Sequence, residues 1–305
     1  MKKLGKLASL FLLLGSTQTF AATYHLPPAN NDIIGDIQYE SATTRDNISK
    51  IAYRYDIGFN AIQKANPQYH PSNLFKSETT LQIPTRHLLP NHTRAGIVVN
   101  LPEMRMYYFP KGSNEVLTYP IGIGKVGKNI PMQKAVVTRK ATNPYWYPPQ
   151  DIIDFNREQG VNLPKIMPPG PDNPLGTYAI YMSIPTYLIH STIFPESVGR
   201  RASFGCIRMY EADIEEFYPT ITRGVPIEII DEPVKLGWQT NRLYLETYDV
   251  LEDSSNTDKT TVAGIVDLVL DETKNQPALI DWQGIMFVAN EKDGIPHEIG
   301  VKLPA

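Results

Sequence analysis

Two side chains sixteen residues apart, His190 and Cys206, are the pair in this sequence best suited to covalent chemistry, and Cys206 is the only cysteine. A free thiol has a pKa near 8.5, so only about a few per cent is thiolate at pH 7. A neighbouring imidazole that takes the proton makes it a usable nucleophile. His190 closes the strand-like run "YLI", and Ser191 and Thr192 begin a loop. That loop contains Pro195 and Gly199 and returns to Gly205 and Cys206. A strand, a reversal and a return can bring the two side chains together. Downstream, "EADIEEFY" carries Ile214, Phe217 and Tyr218 on one helical face, so Cys206 is expected to precede a helix whose positive end favours an anion. Spacing alone leaves the bland alternatives open: a lone Cys as a small buried hydrophobe, a lone His as a satisfied core residue.

The compartment sharpens the choice. Lys2, Lys3 and Lys6 precede the apolar run "LASLFLLLG", and Thr19 and Ala21 are small residues placed for cleavage after Ala21, so residues 1–21 read as a secretory signal. Later stretches fall short of the roughly 20 apolar residues of a membrane span, so no stable membrane insertion is expected. Exported proteins usually pair their cysteines, and an unpaired thiol there needs a reason to persist. Of 29 basic residues the signal holds three, leaving 26 against 32 acidic, a net charge of −6 without a basic cluster. Nucleic acid is therefore not an expected partner. Twenty-six prolines and 17 tyrosines favour a loop-rich, strand-dominated chain over a helical bundle.

The elements that must position the pair follow from periodicity. Residues 22–38 read as a linker. In residues 39–85, Ile48, Ile51, Ala52 and Tyr55 mark one face of a helix starting near Asp46, "FNAIQKAN" makes a second that stops at Asn66-Pro67, and "TTLQIP" is strand-like. Residues 94–230 are β-rich, from "AGIVVNL" through "KAVVTRKA" and "TYAIYM" to "VPIEII", interrupted at 143–176 by a proline-rich excursion of the kind that forms lids or binding loops. Its Tyr145, Trp146 and Tyr147 either line a groove or anchor the loop. Residues 236–305 read as an α/β subdomain with helices around Val262–Val269 and "LIDWQGIMFVAN", and carry no recognisable chemistry.

Two other signals are weaker than they look. Gly122, Gly124 and Gly127 spell GxGxxG, yet "KNIPMQKAVV" follows with a proline and a strand pattern instead of a helix, so a dinucleotide site is not expected. The six histidines are dispersed, with His87 and His92 in a connecting stretch; no metal site is expected.

The segment "IHST…VGRRASFGCIRMYEADIEEF" resembles the active-site signature of the L,D-transpeptidases with a YkuD-type catalytic domain, and "YPIGIGKVGKNIP" and "PPGPDNPLGTYAIY" are similar to further blocks of that family. The βααβ pattern of residues 39–85 resembles a LysM module, with Arg45 where a glycine usually precedes the aspartate. The resemblance implies a β-sandwich-like catalytic domain over 94–230, a mainly β fold with α+β appendages, and a periplasmic location. It also implies that Cys206 attacks the bond between the diamino acid and the terminal D-Ala of a peptidoglycan stem. His190 would act as base and then acid, Ser191 would orient the imidazole through its carbonyl, and N–H groups near Gly205 and Cys206 would hold the oxyanion. Arg208 and Tyr187, with Ser203 and Phe204, would bind the donor. An acceptor amine, from a second stem or an outer-membrane protein lysine, would resolve the thioester, and no cofactor would be needed. A hydrolase using water and a non-catalytic wall-binding protein are the alternatives. One position departs from the family pattern: Phe204 stands where a His usually precedes Gly-Cys.

Overall fold

The computed structural model describes residues 22–304, apart from 72, 77 and 78; the expected secretory signal, 1–21, lies outside the described residues. The stretch expected as a linker is structured. β1 (Ala22–His25) joins a large sheet at its edge, and β2 (Ile33–Ile34) buries both isoleucines. The sequence signal was short, because an edge strand needs only alternate inward residues, and Ala22 and Tyr24 supply them.

Next comes a βααβ unit: β3 (Gln38–Ala42), α1 (Ile48–Arg54), α2 (Phe59–Ala65) and β4 (Thr79–Ile83). Asn47 caps α1 by accepting from the Lys50 N–H at 2.9 Å, which satisfies one of the orphan donors of a helix start. Ile48, Ile51, Ile62, Leu81 and Ile83 are fully buried in its small core, each worth about 1.5–3 kcal/mol of transfer free energy. Asn66 ends α2 and bonds both ways with the Gln82 backbone, tying the helix pair to the strand pair. β5 (His87–Leu88) then pairs with β2.

The central strands are β6 (Gly96–Asn100), β7 (Arg105–Phe109), β8 (Glu115–Pro120), β9 (Ile123–Gly124) and β10 (Lys134–Thr142). They are followed by α3 (Gln150–Glu158), β11 (Tyr178–Met182), β12 (Leu188–His190), β13 (Arg201–Ser203), β14 (Ile207–Arg208), α4 (Glu211–Thr220) and β15 (Pro226–Ile230). Among the described residues they build a nine-stranded sheet in the order β1-β8-β7-β6-β15-β10-β11-β12-β14. β6 is buried along its whole length, because Ile97 and Val99 face the main core while Val98 faces a second cluster with Ile34, Leu89 and Tyr107. A strand covered on both faces reads as a continuous apolar run. β10 pairs with β15 over its first three residues and with β11 from Val137 onward, across a register shift at Val137/Arg139. Strands that bend in this way carry a sheet around a corner.

The C-terminal part is a four-stranded sheet of β16 (Val234–Gln239), β17 (Arg242–Thr247), β18 (Ala278–Ile280) and β19 (His297–Lys302). It is packed by α5 (Val262–Thr273) and α6 (Trp282–Glu291). Its junction with the central strands is charged and buried. The ammonium of Lys235, 1 % exposed, lies 3.0 Å from Glu103 and 3.2 Å from Glu246 and donates to the Leu88 carbonyl at 2.7 Å. His87, expected in an open connection, is buried beside these groups. Its imidazole and the two carboxylates converge within 4.8 Å, and Lys235 supplies the positive charge between the carboxylates. Burial holds His87 well below its ordinary pKa and so neutral. No helix of the described residues is long and apolar enough to cross a membrane.

Candidate active site

The distance between His190 and Cys206 along the chain is closed by strand pairing. β12 runs antiparallel to β11 and parallel to β14, with Ile189 opposite Ile207 and His190 opposite Arg208. The intervening loop makes one turn of 3-10 helix at Pro195–Ser197 and a strand, β13, parallel to β9. It then enters the Gly205 turn, so the sheet delivers both side chains to the same edge. The helix expected downstream of Cys206, α4, begins at Glu211, where "EADIEEFY" starts, and the two residues of β14 lie between it and the thiol. The helix dipole acts within its first turn, so it is not a source of thiolate stabilisation here.

His190 is 3 % exposed and its Nδ1 lies 2.5 Å from the Ser191 carbonyl. A carbonyl can only accept, so Nδ1 carries the proton and Nε2 keeps its lone pair. Ser191 is itself fixed: its hydroxyl donates to the Leu175 carbonyl and accepts from the Tyr178 N–H, both at 3.0 Å. Burial, and then the Arg208 cation, push the His190 pKa down to about 3. The imidazole is thus a neutral acceptor at any physiological pH.

Cys206 is a free thiol. It points at the Thr186 carbonyl at 3.8 Å, and the Leu188 N–H also faces the sulfur. Among the described residues no hydrogen bond joins thiol and imidazole, and catalytic bonds often tighten only with substrate present. Burial pushes the thiol pKa up, opposed by the Leu188 N–H and Arg208. The resting pair is therefore neutral on both sides.

The turn before the thiol is tightly determined. Gly205 has φ +110°, and a Cβ there would meet the Tyr187 ring at 2.4 Å and the Lys128 carbonyl at 2.9 Å. Only glycine fits. Its N–H donates to Ser203 Oγ at 3.0 Å, and Ser203 Oγ donates to the Cys206 carbonyl at 2.6 Å. Ser203, expected to contact the donor, is 2 % exposed and engaged inside the turn. The Gly205 N–H, expected as an oxyanion donor, is likewise engaged. Tyr187 packs on the turn and reaches the Asn129 carbonyl at 3.4 Å. Arg208 makes no ion pair within 4 Å among the described residues, and its Nε is buried without a hydrogen-bond partner. An uncompensated guanidinium beside a thiol and an imidazole is suited to holding a carboxylate.

The L,D-transpeptidase catalytic-domain model of the YkuD family matches residues 94–229. Probable L,D-transpeptidase YcfS of Escherichia coli K12 is 33 % identical over 285 residues, 92 % of this chain and 88 % of the relative. Probable L,D-transpeptidase ErfK/SrfK of Salmonella typhimurium LT2 is 32 % identical over 312 residues, 100 % of this chain and 99 % of the relative. Its Escherichia coli K12 namesake is 38 % identical over 242 residues, covering 77 % and 76 %. The chain belongs to the L,D-transpeptidase family. It is an enzyme, a transferase acting on peptidoglycan stem peptides.

The L,D-transpeptidase carries beside its thiol a second set of contacts that sequence reading missed. The proline-rich excursion holds α3, whose Phe155 meets Phe204 edge to face at 5.2 Å between ring centres. The Lys125 ammonium lies 3.5 Å from the Phe155 ring centre and 3.7 Å from that of Phe204. Lys128 pairs with Asp151 at 2.6 Å. Phe204 therefore clasps α3 against the turn at 122–129. The available signal was Ile152 and Phe155, three apart in "QDIIDFNRE", which is helical spacing inside a loop-like composition. Trp146 is held by paired backbone bonds to Met167, whereas Tyr145 and Tyr147 are 55 % and 64 % exposed. The glycines of the GxGxxG run also have a use: a Cβ on Gly122 would meet the Ser197 carbonyl at 2.5 Å. That close approach lets the turn pack against the loop joining His190 to Cys206.

Proposed function

We propose that Cys206 and His190 are the catalytic pair of this L,D-transpeptidase, with the donor stem held by Arg208 and Tyr187. His190 Nε2 removes the thiol proton as sulfur attacks the carbonyl of the diamino acid–D-Ala bond. The tetrahedral oxyanion is met by the backbone N–H of Cys206, the Gly205 N–H being held by Ser203. As the C–N bond breaks, His190 returns the proton to the departing D-Ala amine and a thioester remains. A primary amine then attacks the thioester, His190 takes its proton, and the thiol is regenerated. The Nδ1–H bond to Ser191 keeps the imidazole in the required tautomer throughout. The observation that carries this reading is the parallel register of β12 and β14, which sets His190 opposite Arg208 and beside the Gly205–Cys206 turn.

The acceptor in this reading is the amine of a second stem or of an outer-membrane protein lysine. Residues 1–21 act as a cleaved export signal, ending at Ala21, and the enzyme works in the periplasm. The βααβ core supports a LysM-like glycan-binding role for 39–85, and the corner at β10 supports a sandwich-like arrangement of 94–230. Residues 236–305 form a structural subdomain. In the test, purified enzyme is incubated with a disaccharide-tetrapeptide and an acceptor amine. Mass spectrometry is expected to show D-Ala release with amine incorporation, both lost in Cys206→Ala. D-Ala release without incorporation would mean hydrolysis. A carbapenem is expected to leave a covalent adduct on the wild type and none on Cys206→Ala; absence of an adduct on folded wild type would overturn the assignment.

A further inference from the structure

Behind the catalytic turn lie two acids that the reaction does not use. Asp56, two residues beyond α1 with a left-handed φ of +51°, faces Asp213 of α4 across the junction of the βααβ unit and the large sheet. Among the described residues, both Asp56 carboxylate oxygens and Asp213 Oδ2 are buried without a hydrogen-bond partner of good geometry, and Asp213 is 2 % exposed. Burying an unpaired carboxylate is costly, and such groups are found with a cation or a proton. Arg105 acts on both through space, but its guanidinium donates to Thr118 at 3.0 Å and leans toward Glu103. The backbone nitrogen facing the Asp56 carboxylate is that of Ala22, the first residue of β1, opposite Thr118 on β8. Ala22 is also the residue that follows the expected cleavage point.

We propose that Asp56 and Asp213 form a binding site for the α-ammonium group created on Ala22 when residues 1–21 are removed. Hydrolysis of the Ala21–Ala22 peptide bond by a signal peptidase consumes one water, leaves a carboxylate on Ala21, and gives Ala22 an ammonium in place of its amide. One amide N–H becomes three charged donors beside acceptors that lack partners. The ion pair joins β1, the α1–α2 unit and α4. Asp213 lies seven residues after Cys206 on the segment that also carries Arg208, so processing at the export step tightens the scaffold of the reactive turn. The inference rests on the export reading above. The other groups facing the pair are Arg105, Tyr24 of β1, Tyr119 of β8, and Tyr210 and Glu216 around α4.

The test compares the chain beginning at Ala22 with the same chain extended by one glycine, each with and without Asp56→Asn and Asp213→Asn. The Ala22 chain is expected to melt about 5 °C higher than the extended one at pH 7, with the difference abolished in either Asn variant. A second readout does not depend on the variants folding. The α-amine of native Ala22 chain is expected to be dimethylated at least about tenfold more slowly at pH 8 than in urea, because the carboxylates keep it protonated. Equal melting temperatures together with an unprotected amine would overturn the proposal alone. Mass spectrometry of the exported protein showing a terminus other than Ala22 would overturn the cleavage expectation and the proposal with it.

Discussion

The neutrality of the resting pair predicts that two reagents will report different pH profiles from the same sulfur. Even at the unperturbed value near 8.5, about 3 % of a thiol is ionised at pH 7, so forming the thiolate costs about 2 kcal/mol. Burial pushes Cys206 further in that direction, while His190, down at about 3, is too weak a base to hold an imidazolium at rest. Iodoacetamide reacts with thiolate alone, and its rate is expected to rise about tenfold per pH unit from 6 to 8 without a plateau. Acylation by the donor stem uses Nε2 to remove the proton during attack, so kcat/KM is expected to stay flat from about pH 4 until the thiol titrates. In His190→Ala the flat region should vanish and acylation should follow the alkylation slope. An alkylation plateau beginning near pH 5, with thiolate absorbance at 240 nm, would show a preformed ion pair and refute the reasoning. So would an acid limb in kcat/KM centred near 6.5.

Three further outcomes follow from the contacts described. Phe204→Ala removes an edge-to-face pair and a cation–π contact, each about 0.5–1.5 kcal/mol; amide exchange across residues 150–158 is expected to rise about tenfold, and unchanged exchange would show that Phe204 does not hold α3. Arg208→Gln removes both a carboxylate ligand and the cation that helps depress His190; KM for the donor should rise at least about tenfold and the acid limb should move to higher pH, measured by initial rates at several pH values. Glu232 is pushed up by burial from an ordinary 4.5 to about 7. Folding therefore favours its protonated form, and the stability it contributes, complete below pH 4.5, is lost as pH rises to 7, about 3 kcal/mol in all. Glu232→Gln should raise the melting temperature by several degrees at pH 8 and leave it unchanged at pH 4, by calorimetry.

The parts of this protein legible in its sequence are those governed by local rules. Helices α1 and α2 announced themselves through Ile48, Ile51 and Ala52 and through the Asn66-Pro67 stop, and the central strands through β-branched and aromatic runs. The Cys206–His190 relation was readable as strand, reversal and return. What escaped was set by partners remote in sequence. β1 is a strand because β8 is there to receive it. Phe204 has a clear role only once Phe155, 49 residues earlier, is seen against it. The charged cluster around Lys235 draws on β5, the turn before β7, β16 and β17, and neither spacing nor composition brings those segments together. Helix α4 begins where "EADIEEFY" placed it, but β14 between it and Cys206 was not readable, since its two residues form a strand only by pairing with β12.

That buried cluster has a consequence for how the protein ends its life. Under the export reading proposed above, the protein works where no ATP-driven refolding reaches it, and its persistence depends on how rarely proteases meet an opened chain. Lys235 cannot leave its pocket without stranding Glu103 on one side or Glu246 on the other, so the C-terminal sheet cannot peel away as a cheap partial opening. Cleavage then has to wait for the whole molecule to unfold, and its clearance follows the global unfolding equilibrium instead of the flexibility of its last seventy or so residues.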